Sequence, residues 1–179
     1  MKKDIKKSFI IQIGGLWSGP GGKVESQHFE ADLEFDPQEI EVASAVKGEM
    51  LLAKVKHEIR AALTNVEVTI KRGCVRCLKS FKQKVKIPVA ERSFLDRAPK
   101  DKTDLDDIFL INLKDLSIDL YDMIRQEIIL HFPLISVCSK SCKGLCPHCG
   151  ADRNRKTCKC KEVDEGAQKP FKNLKKLIK

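Results

Sequence analysis

The stretch VEVTIKRGCVRCLKSFKQKVKI, residues 66–87, decides the fold of this chain. Apolar and polar residues alternate over positions 66–70 and again over positions 81–87. Alternation with period two and with β-branched residues is typical of half-buried strands. Cys74 and Cys77 lie between these two segments. The stretch therefore predicts an antiparallel hairpin that carries a C-x-x-C pair at its tip.

Weaker patterns on both sides of the hairpin extend the predicted sheet. Residues 49–63 mix periods and are interpreted as strand, and residues 108–111 form a short apolar run that predicts another strand. The glycine-rich segment GGLWSGPGG, residues 14–22, predicts a loop, and the polar segment 97–107 predicts a mobile connection. The body is thus expected to be rich in β-structure.

Helix signals occur at three places. Asp-Pro-Gln-Glu at residues 36–39 has the form of a capping box and predicts a helix of about two turns towards Ala45. Asp119 predicts the N-cap of an amphipathic helix that ends before Pro133. Residues 169–179 predict a basic amphipathic helix that docks on the body or on a partner.

The positive charge is concentrated near the C-terminus. The chain has 179 residues, 42% hydrophobic and 33% charged, with a formal net charge of +9, which suits a folded domain with a small appended module. Residues 138–179 contain 12 basic and 4 acidic side chains, so they carry most of that excess. A second basic run at residues 71–86 has no acid in it. Such runs suit a polyanionic partner, or they balance thiolate charge within the fold.

The cysteines need an explanation other than disulfides. The apolar stretch near the N-terminus is too short for a secretory signal or a membrane span, so we expect a cytoplasmic protein. Thiols stay reduced in that compartment. The chain nevertheless contains eight cysteines.

The strongest chemical signal is CPHCG at residues 146–150, followed by Cys158-Lys159-Cys160. A C-x-x-C pair lets the backbone curl until both sulfurs point to one centre, and zinc prefers four such ligands in a tetrahedron. The spacing of the two pairs is smaller than in the usual zinc ribbon. The sequence predicts a zinc site formed by Cys146, Cys149, Cys158 and Cys160.

Four more cysteines predict a second zinc site, so that the chain is expected to hold one or two Zn²⁺ ions. These are Cys74, Cys77, Cys138 and Cys142. A crossed arrangement, in which Cys74 and Cys77 share a metal with Cys146 and Cys149, is the open alternative. Two filled sites would lower the formal charge from +9 to about +5.

The cysteine pattern argues against catalysis. A thioredoxin-like site requires C-x-x-C at the start of a helix beside a βαβ unit, and catalytic zinc requires an open coordination position. Eight cysteines fill two structural sites completely. Standard nucleotide-binding and hydrolase motifs are absent from the sequence. We therefore expect no catalytic residues and no small-molecule substrate.

Several motifs occur in an order that resembles one known family, the bacterial large ribosomal RNA subunit accumulation protein family or YceD family. They are C-x-x-C-L at 74–78, Ile-Asp-Leu at 118–120, RQEIIL at 125–130, Pro133, Cys138, CKGLCP at 142–147, Cys-Gly at 149–150 and the stretch 174–177. The resemblance covers the chain from roughly Gly48 to the C-terminus. It implies a non-enzymatic cytosolic protein needed for normal accumulation of 23S ribosomal RNA, and hence a role in large-subunit assembly.

Together these features predict an α+β protein in two parts. Residues 1–137 form a β-rich antiparallel body with a helix near 119–130, and residues 138–179 form a basic, zinc-ribbon-like module with a tail helix. Expected partners are ribosomal RNA, a pre-50S particle or a ribosomal protein, and no membrane. Because the chain has few aromatic residues, phosphate contacts are favoured over base stacking. The predicted RNA-binding residues are Lys143, Arg153, Arg155, Lys156, Lys159 and Lys161.

Two other functions remain open at this point. The first is a protein-binding adaptor in which the helix at 119–130 or the basic tail docks on a ribosomal protein. The second is a redox-sensing zinc protein that releases metal on oxidation, which the number of thiols in a small chain suggests.

Overall fold

The computed structural model of the chain describes residues 8–98 and 108–160. Strands predominate over helices in this part of the chain. The elements are β1 (Ile10–Gln12), α1 (Gly14–Trp17), β2 (Val24–Ala31), β3 (Glu41–Val42), β4 (Val46–Val55), β5 (Glu58–Gly73), β6 (Ser80–Leu95), β7 (Phe109–Leu110), β8 (Ser117–Asp119) and α2 (Tyr121–Leu130).

Six strands form one sheet in the order β2-β4-β5-β6-β7, with β3 also paired to β5, and β1 pairs with β8 in a second, two-stranded sheet. The prediction of a β-rich body is confirmed. The prediction of an entirely antiparallel body is wrong at one edge, because β6 and β7 are parallel. The connection over residues 96–108 is long enough for the crossover that parallel pairing requires.

The hairpin predicted from residues 66–87 is the longest feature of the sheet. Strands β5 and β6 pair from Gly73 opposite Ser80 to Glu58 opposite Leu95. The cysteine turn lies between them, where the Cys74 backbone N–H donates to the carbonyl oxygen of Lys79 at 2.9 Å. The structure confirms both the hairpin and the position of the C-x-x-C pair at its tip.

A bulge bends the sheet at Asn65, just beyond the segment 49–63, whose mixed periods follow from the turn at Lys56 between β4 and β5. Asn65 has a φ of +52°, and the β4–β5 register shifts beside it. Pro88, which has no N–H to donate, lies opposite Asn65 on β6. Gly48 lies on the β4 side, where an added Cβ would meet Val66 at 2.9 Å. The buried positions of β5 therefore change parity, from Ile59, Ala61 and Leu63 to Val66, Val68 and Ile70.

The inner face of the sheet packs against α2 and the β1–β8 pair. Helix α2 contributes the buried residues Met123, Ile124 and Ile128, as its amphipathic pattern predicts. One charged side chain is also buried on this helix: Glu127 is 6% exposed and pairs with Arg92 of β6 at 2.8 Å. A buried carboxylate needs such a partner because desolvation is costly.

Helix α2 begins close to the predicted position and ends three residues before Pro133. Its N-cap residue is Leu120, one residue after the predicted Asp119. The Asp119 carboxylate still accepts hydrogen bonds from the backbone N–H groups of Tyr121 at 2.9 Å and Phe9 at 2.8 Å. It therefore ties the start of the helix to the β1 segment.

The helix predicted from residue 36 towards Ala45 is wrong. The Asp36 carboxylate accepts a hydrogen bond from the Gln38 N–H, and the Asp36 carbonyl accepts from Ile40, but the chain makes only this single turn. Ile40 is buried and the next residues enter β3, which pairs with β5. Sheet pairing and burial thus override the local capping signal.

The segment predicted as a loop at residues 14–22 contains the short helix α1. Leu16 is fully buried within it, and the rest of the segment is turn or bend. The Lys54 ammonium group donates to the carbonyl oxygens of Trp17 and Gly19, which satisfies acceptors at the C-terminal end of the helix. Burial of Leu16 and this cap account for a helix in a glycine-rich segment.

Other predictions lie wholly or partly outside the described residues. The tail helix at 169–179 lies outside them, as does most of the connection predicted at 97–107. Over residues 138–160, the described pairing consists of one isolated bridge between Leu145 and Asp152. The zinc-ribbon description and the division of the chain at residue 137 therefore stay predictions.

Candidate metal centres

The tip of the β5–β6 hairpin and the segment after α2 bring together four thiols that we call the hairpin cluster. It consists of Cys74, Cys77, Cys138 and Cys142, whose Sγ atoms all lie within 4.8 Å of one another. The Sγ atoms of Cys74 and Cys142 are 3.8 Å apart, and those of Cys77 and Cys138 are 3.7 Å apart. A tetrahedron with Zn–S bonds of about 2.3 Å has S–S edges of about 3.8 Å, so the four thiols fit such an ion.

A second group, the terminal cluster, lies further along the chain. It consists of Cys146, Cys149, Cys158 and Cys160, and their Sγ atoms also lie within 4.8 Å of one another. These are the two groups of four predicted from spacing, and the crossed arrangement is not the one that the structure brings together. Both groups could hold a metal ion.

The two C-x-x-C pairs adopt the same turn. In the first, the Leu78 N–H donates to the Cys74 carbonyl oxygen at 2.8 Å, and in the second the Gly150 N–H donates to the Cys146 carbonyl oxygen at 2.9 Å. Leu78 and Gly150 both have positive φ angles, of +58° and +69°. The left-handed residue after each pair reverses the chain and leaves both sulfurs on one side of the turn.

Backbone hydrogen bonds and crowding separate the pKa values within the hairpin cluster. Desolvation raises the pKa of Cys74, but hydrogen bonds from the backbone N–H groups of Cys138, Cys77 and Arg76 outweigh it and lower that pKa to about 6. Hydrogen bonding with Cys142, followed by desolvation, raises the pKa of Cys138 to about 12. Four crowded thiols cannot all ionise without a cation among them, which suits a divalent metal.

The terminal cluster repeats this pattern. Hydrogen bonds from the backbone N–H groups of Cys149 and His148 lower the pKa of Cys146 to about 6, in spite of desolvation. Hydrogen bonding with Cys149, followed by desolvation, raises the pKa of Cys160 to about 12. His148 thus contributes its backbone N–H, and its ring is not among the grouped ligand atoms.

Burial distinguishes the two clusters. Cys74, Cys77 and Cys142 are 1%, 7% and 4% exposed, and they pack with partly buried Phe81, Val137 and Leu145 in a small apolar cluster of their own. In the terminal cluster, Cys146 is buried but Cys149 is exposed. A metal ion in the hairpin cluster would therefore be the better shielded of the two from solvent.

Asn154 joins the terminal segment to a ligand of the hairpin cluster, and no signal in the sequence would have identified it. Its side-chain amide donates to the Sγ of Cys142 at 3.5 Å and to the Asp152 carboxylate at 2.8 Å. Its side-chain oxygen accepts from the Lys143 N–H at 2.8 Å. The Asn154 backbone N–H also donates to the Asp152 carboxylate at 2.9 Å, and this hydrogen bond, followed by that of the side-chain amide, lowers the pKa of Asp152. An outer partner of this kind orients a ligand and stabilises its thiolate.

Gly144 allows the terminal segment to pack closely on the hairpin tip. It has a φ of +71°, and a Cβ added to it would lie 2.9 Å from the carbonyl oxygen of Arg76. The same carbonyl accepts a hydrogen bond from the Leu145 N–H at 2.9 Å, and the Arg76 guanidinium donates to the Cys142 carbonyl at 3.0 Å. Arg76 therefore joins the hairpin tip to the segment that carries both later pairs of cysteines.

The predicted RNA-binding residues lie beside these centres. Lys143, Arg153, Arg155, Lys156 and Lys159 are exposed, while Lys161 lies outside the described residues. Arg155 approaches the Asp152 carboxylate at 3.7 Å. Five of the six basic residues thus lie exposed in the short segment 143–159, which also contains cysteines of the terminal cluster.

These observations define a β-sheet protein with two groups of four cysteines that could each hold a metal ion. Residues 64–178 match the sequence model of a family described as "Large ribosomal RNA subunit accumulation protein YceD". The chain belongs to this family. The match begins within β5 and includes the hairpin and both clusters.

Two plant relatives carry the same family name, and a bacterial relative matches a larger share of the chain. An uncharacterized protein of Mycobacterium tuberculosis is 24% identical over 153 residues, which are 83% of this chain and 72% of the relative. The chloroplastic "Large ribosomal RNA subunit accumulation protein YCED homolog 1" of Arabidopsis thaliana is 35% identical over 63 residues, 34% of this chain and 19% of the relative. Its Zea mays counterpart is 38% identical over 72 residues, 40% and 25% of the two chains. No solved structure matches the chain.

Membership of this family carries the role that its name describes, accumulation of the RNA of the large ribosomal subunit. The name describes an accumulation factor and not a catalyst. Within residues 8–98 and 108–160, no helix has the length and apolar character needed to cross a membrane.

Proposed function

We propose that this protein supports accumulation of 23S ribosomal RNA by binding that RNA, free or in an assembling large subunit, through its basic terminal segment. The observation that carries the proposal is the pair of four-thiol clusters in a chain of the YceD family: the hairpin cluster joins the sheet hairpin to the start of the basic segment, and the terminal cluster lies within that segment. A segment without secondary structure of its own becomes a rigid charged surface only when such ligands hold it.

Zinc is the proposed metal at both clusters. Four sulfur ligands in a tetrahedron favour zinc or iron–sulfur chemistry, and a complete set of protein ligands is typical of structural zinc. Sulfur separations of 3.7 and 3.8 Å are far longer than a disulfide bond of about 2.05 Å. Because neither set leaves a coordination position open, we propose that both metal ions are structural and that the protein is not an enzyme.

The proposed contact is with phosphate groups. Residues 138–160 contain no Phe, Tyr or Trp on which a base could stack, but they contain six Lys and Arg residues. Affinity supplied by such side chains is electrostatic and falls steeply with salt, because each neutralised phosphate releases counterions. Shape and backbone contacts are also the usual way in which structured RNA is bound.

The test is binding to 23S RNA across a salt series, with the six predicted residues reversed to Glu. We expect the variant to lose most of its affinity and most of its salt dependence. A charge control reverses Lys2, Lys3, Lys6 and Lys7 instead, and metal content and the melting temperature of all proteins are measured to verify the fold. Unchanged affinity in the six-residue variant, or equal losses in the control, would refute the proposed surface.

A second candidate function, a protein-binding adaptor, is favoured by an apolar patch at the end of α2. Leu130 is 70% exposed, Leu134 is fully exposed and Ile135 is 67% exposed. Contiguous exposed apolar side chains often mark protein contacts. Retention of a large-subunit ribosomal protein after nuclease treatment, with loss of that protein in Leu134→Ser/Ile135→Ser, would favour the adaptor over direct RNA binding.

A further inference from the structure

The outer face of the β5–β6 hairpin carries lysines that take no part in either metal centre. Lys82 lies directly opposite Lys71, and Lys84 lies opposite Thr69. Residues two apart on a strand share a face, so these side chains lie together on the face opposite the buried Val85. All three lysines are exposed.

Two of these outer lysines form no close ion pair with the described acidic residues, although Lys84 is near enough to Glu67 to contribute to the lowered pKa of that carboxyl. Lys71 pairs with Glu41 at 2.6 Å, and the next lysine along the face, Lys86, pairs with Glu67. For Lys82 and Lys84, the described part of the chain places no carboxylate oxygen within 4.0 Å of the ammonium group. Positive charge is therefore left over at the centre of this face.

Two other lysines in or next to the sheet are paired with acidic residues. Lys23 pairs with Glu25 and Lys47 pairs with Glu30, each at 2.8 Å. Like charges directly opposite each other on a sheet are destabilising. The position of Lys82 opposite Lys71 thus contributes no stability to the fold, whereas an external anion between the strands would be attracted by both.

The chemistry of this face points to phosphate and not to bases. The outer positions nearest the lysines are Thr69 and Gly73, and the neighbouring Phe81 belongs to the other face, where it packs with the hairpin cluster. A base would therefore find no aromatic ring here on which to stack. Lysine binds phosphate as a point charge on a flexible stem, which needs no fixed geometry.

The lysine face ends at the hairpin tip, which the terminal segment contacts. The hairpin tip contacts that segment through the hydrogen bonds of Arg76 to Leu145 and Cys142. Lys79 at the end of the turn is near enough to Asp152 to contribute to its lowered pKa.

We propose that Lys82 and Lys84 bind phosphate groups of the ribosomal RNA, so that the hairpin extends the RNA-binding surface beyond the terminal segment. This inference rests on the proposed function. It assigns a role to the basic run at 71–86, which the metal centres alone do not explain.

The test compares the double variant Lys82→Gln/Lys84→Gln with the matched control Lys23→Gln/Lys47→Gln. The control removes two lysines whose charges are already paired, the exposed Lys47 on β4 and the half-buried Lys23 just before β2. Affinity for transcribed 23S RNA is measured between about 50 and 200 mM salt, and log K is plotted against log salt. Because each lost phosphate contact lowers the slope by about 0.7 for single strands and 0.9 for a duplex, we expect a reduction of about 1.4 to 1.8 in the test variant only.

The outcomes separate this inference from the proposed function. If the wild type binds and the test variant keeps the wild-type slope, the hairpin surface is refuted and the terminal surface stands. If the wild type shows no salt-dependent binding, both fail. Equal losses of salt dependence in the test and control variants would refute a local site. If the test variant loses an acidic protein partner while its RNA binding is intact, the lysines are assigned to that protein instead.

Metal content and melting temperature verify that each variant folds. If the double variant does not fold, the single variants Lys82→Gln and Lys84→Gln replace it.

Discussion

At the scale of single residues, the metal centres depend on backbone conformations that only some side chains tolerate. The same left-handed position after a C-x-x-C pair is occupied by Gly150 in one turn and by Leu78 in the other. Leucine pays a steric cost there that glycine does not. The hairpin cluster accepts that cost because the surrounding sheet holds both ends of its turn.

This difference leads to a prediction for Gly150→Ala. A Cβ in the left-handed region costs about 1–2 kcal/mol, so the affinity of the terminal cluster for zinc should fall about 5- to 30-fold. The matched variant Leu78→Gly should leave the affinity of the hairpin cluster unchanged or raise it. Competition with a chromophoric chelator measures both, and an unaffected Gly150→Ala protein would contradict the proposed turn.

Gly144 provides a second prediction at this scale. In Gly144→Ala, the new Cβ would lie 2.9 Å from the Arg76 carbonyl oxygen, which is a backbone atom that cannot move aside cheaply. With the positive φ angle, we expect a loss of about 2 kcal/mol or more in the free energy of unfolding. Denaturant unfolding measures it. Gly15→Ala is the control, because nothing lies within 4 Å of its added Cβ.

At the scale of elements, α2 is fastened to the sheet by apolar packing and by one ion pair. Glu127 on the helix is buried, and its partner Arg92 on β6 is about one-third exposed. The sequence marks Glu127 only as a polar residue of an amphipathic helix. Its burial follows from the arrangement of the helix on β6.

We predict that Arg92→Ala destabilises the protein by about 2–3 kcal/mol, because it leaves a buried carboxylate without its cation. The value is below the 3–5 kcal/mol typical of a fully buried pair, since Arg92 is partly hydrated. Replacing both partners, in Arg92→Leu/Glu127→Leu, should recover most of the loss. Urea unfolding of the three proteins provides the comparison, and a double variant less stable than Arg92→Ala would contradict the explanation.

The bulge at Asn65 changes which residues of β5 face the core. Within β5 the inward-facing positions change from odd to even numbers, so a single alternating pattern cannot describe the whole strand. The segment 49–63 ends before this bulge and appeared irregular because the turn at Lys56 divides it between two strands. A bulge is visible only when the partner strands are aligned beside it.

At the scale of the whole molecule, two separate hydrophobic clusters exist. The main core is formed by the sheet, α1 and α2, while the hairpin cluster belongs to a smaller group at the tip. No cysteine of the terminal cluster belongs to either group, although the neighbouring Leu145 packs against the smaller one. Stability of the basic segment should therefore depend on metal more than stability of the sheet does.

We predict that metal is released in two steps, first from the terminal cluster and then from the hairpin cluster. Exposed Cys149 admits a chelator or peroxide, whereas Cys74 and Cys142 are buried. A zinc-sensitive dye added with chelator should report two phases, and Cys149→Ser/Cys158→Ser should abolish the fast one. Retention of both ions under mild peroxide would argue against the redox-sensing function, and a single common phase would contradict the assigned difference in access.

The sequence alone determined what depends on neighbouring residues: the alternation of β5 and β6, the C-x-x-C turn between them, the amphipathic helix α2 and the set of eight thiols. Tertiary structure decided what depends on residues far apart in the chain. Cys77 and Cys138 are separated by 61 positions, yet their Sγ atoms lie 3.7 Å apart. Asp36 begins a single turn that leads into β3, where its local sequence predicted a helix. The ion pairs of Lys71 with Glu41 and of Lys86 with Glu67, beside a Lys82 that has no such partner among the described residues, also cannot be read from the sequence. Local patterns encode conformational preference, whereas partners are selected by the packing of the sheet, which no short window of sequence contains.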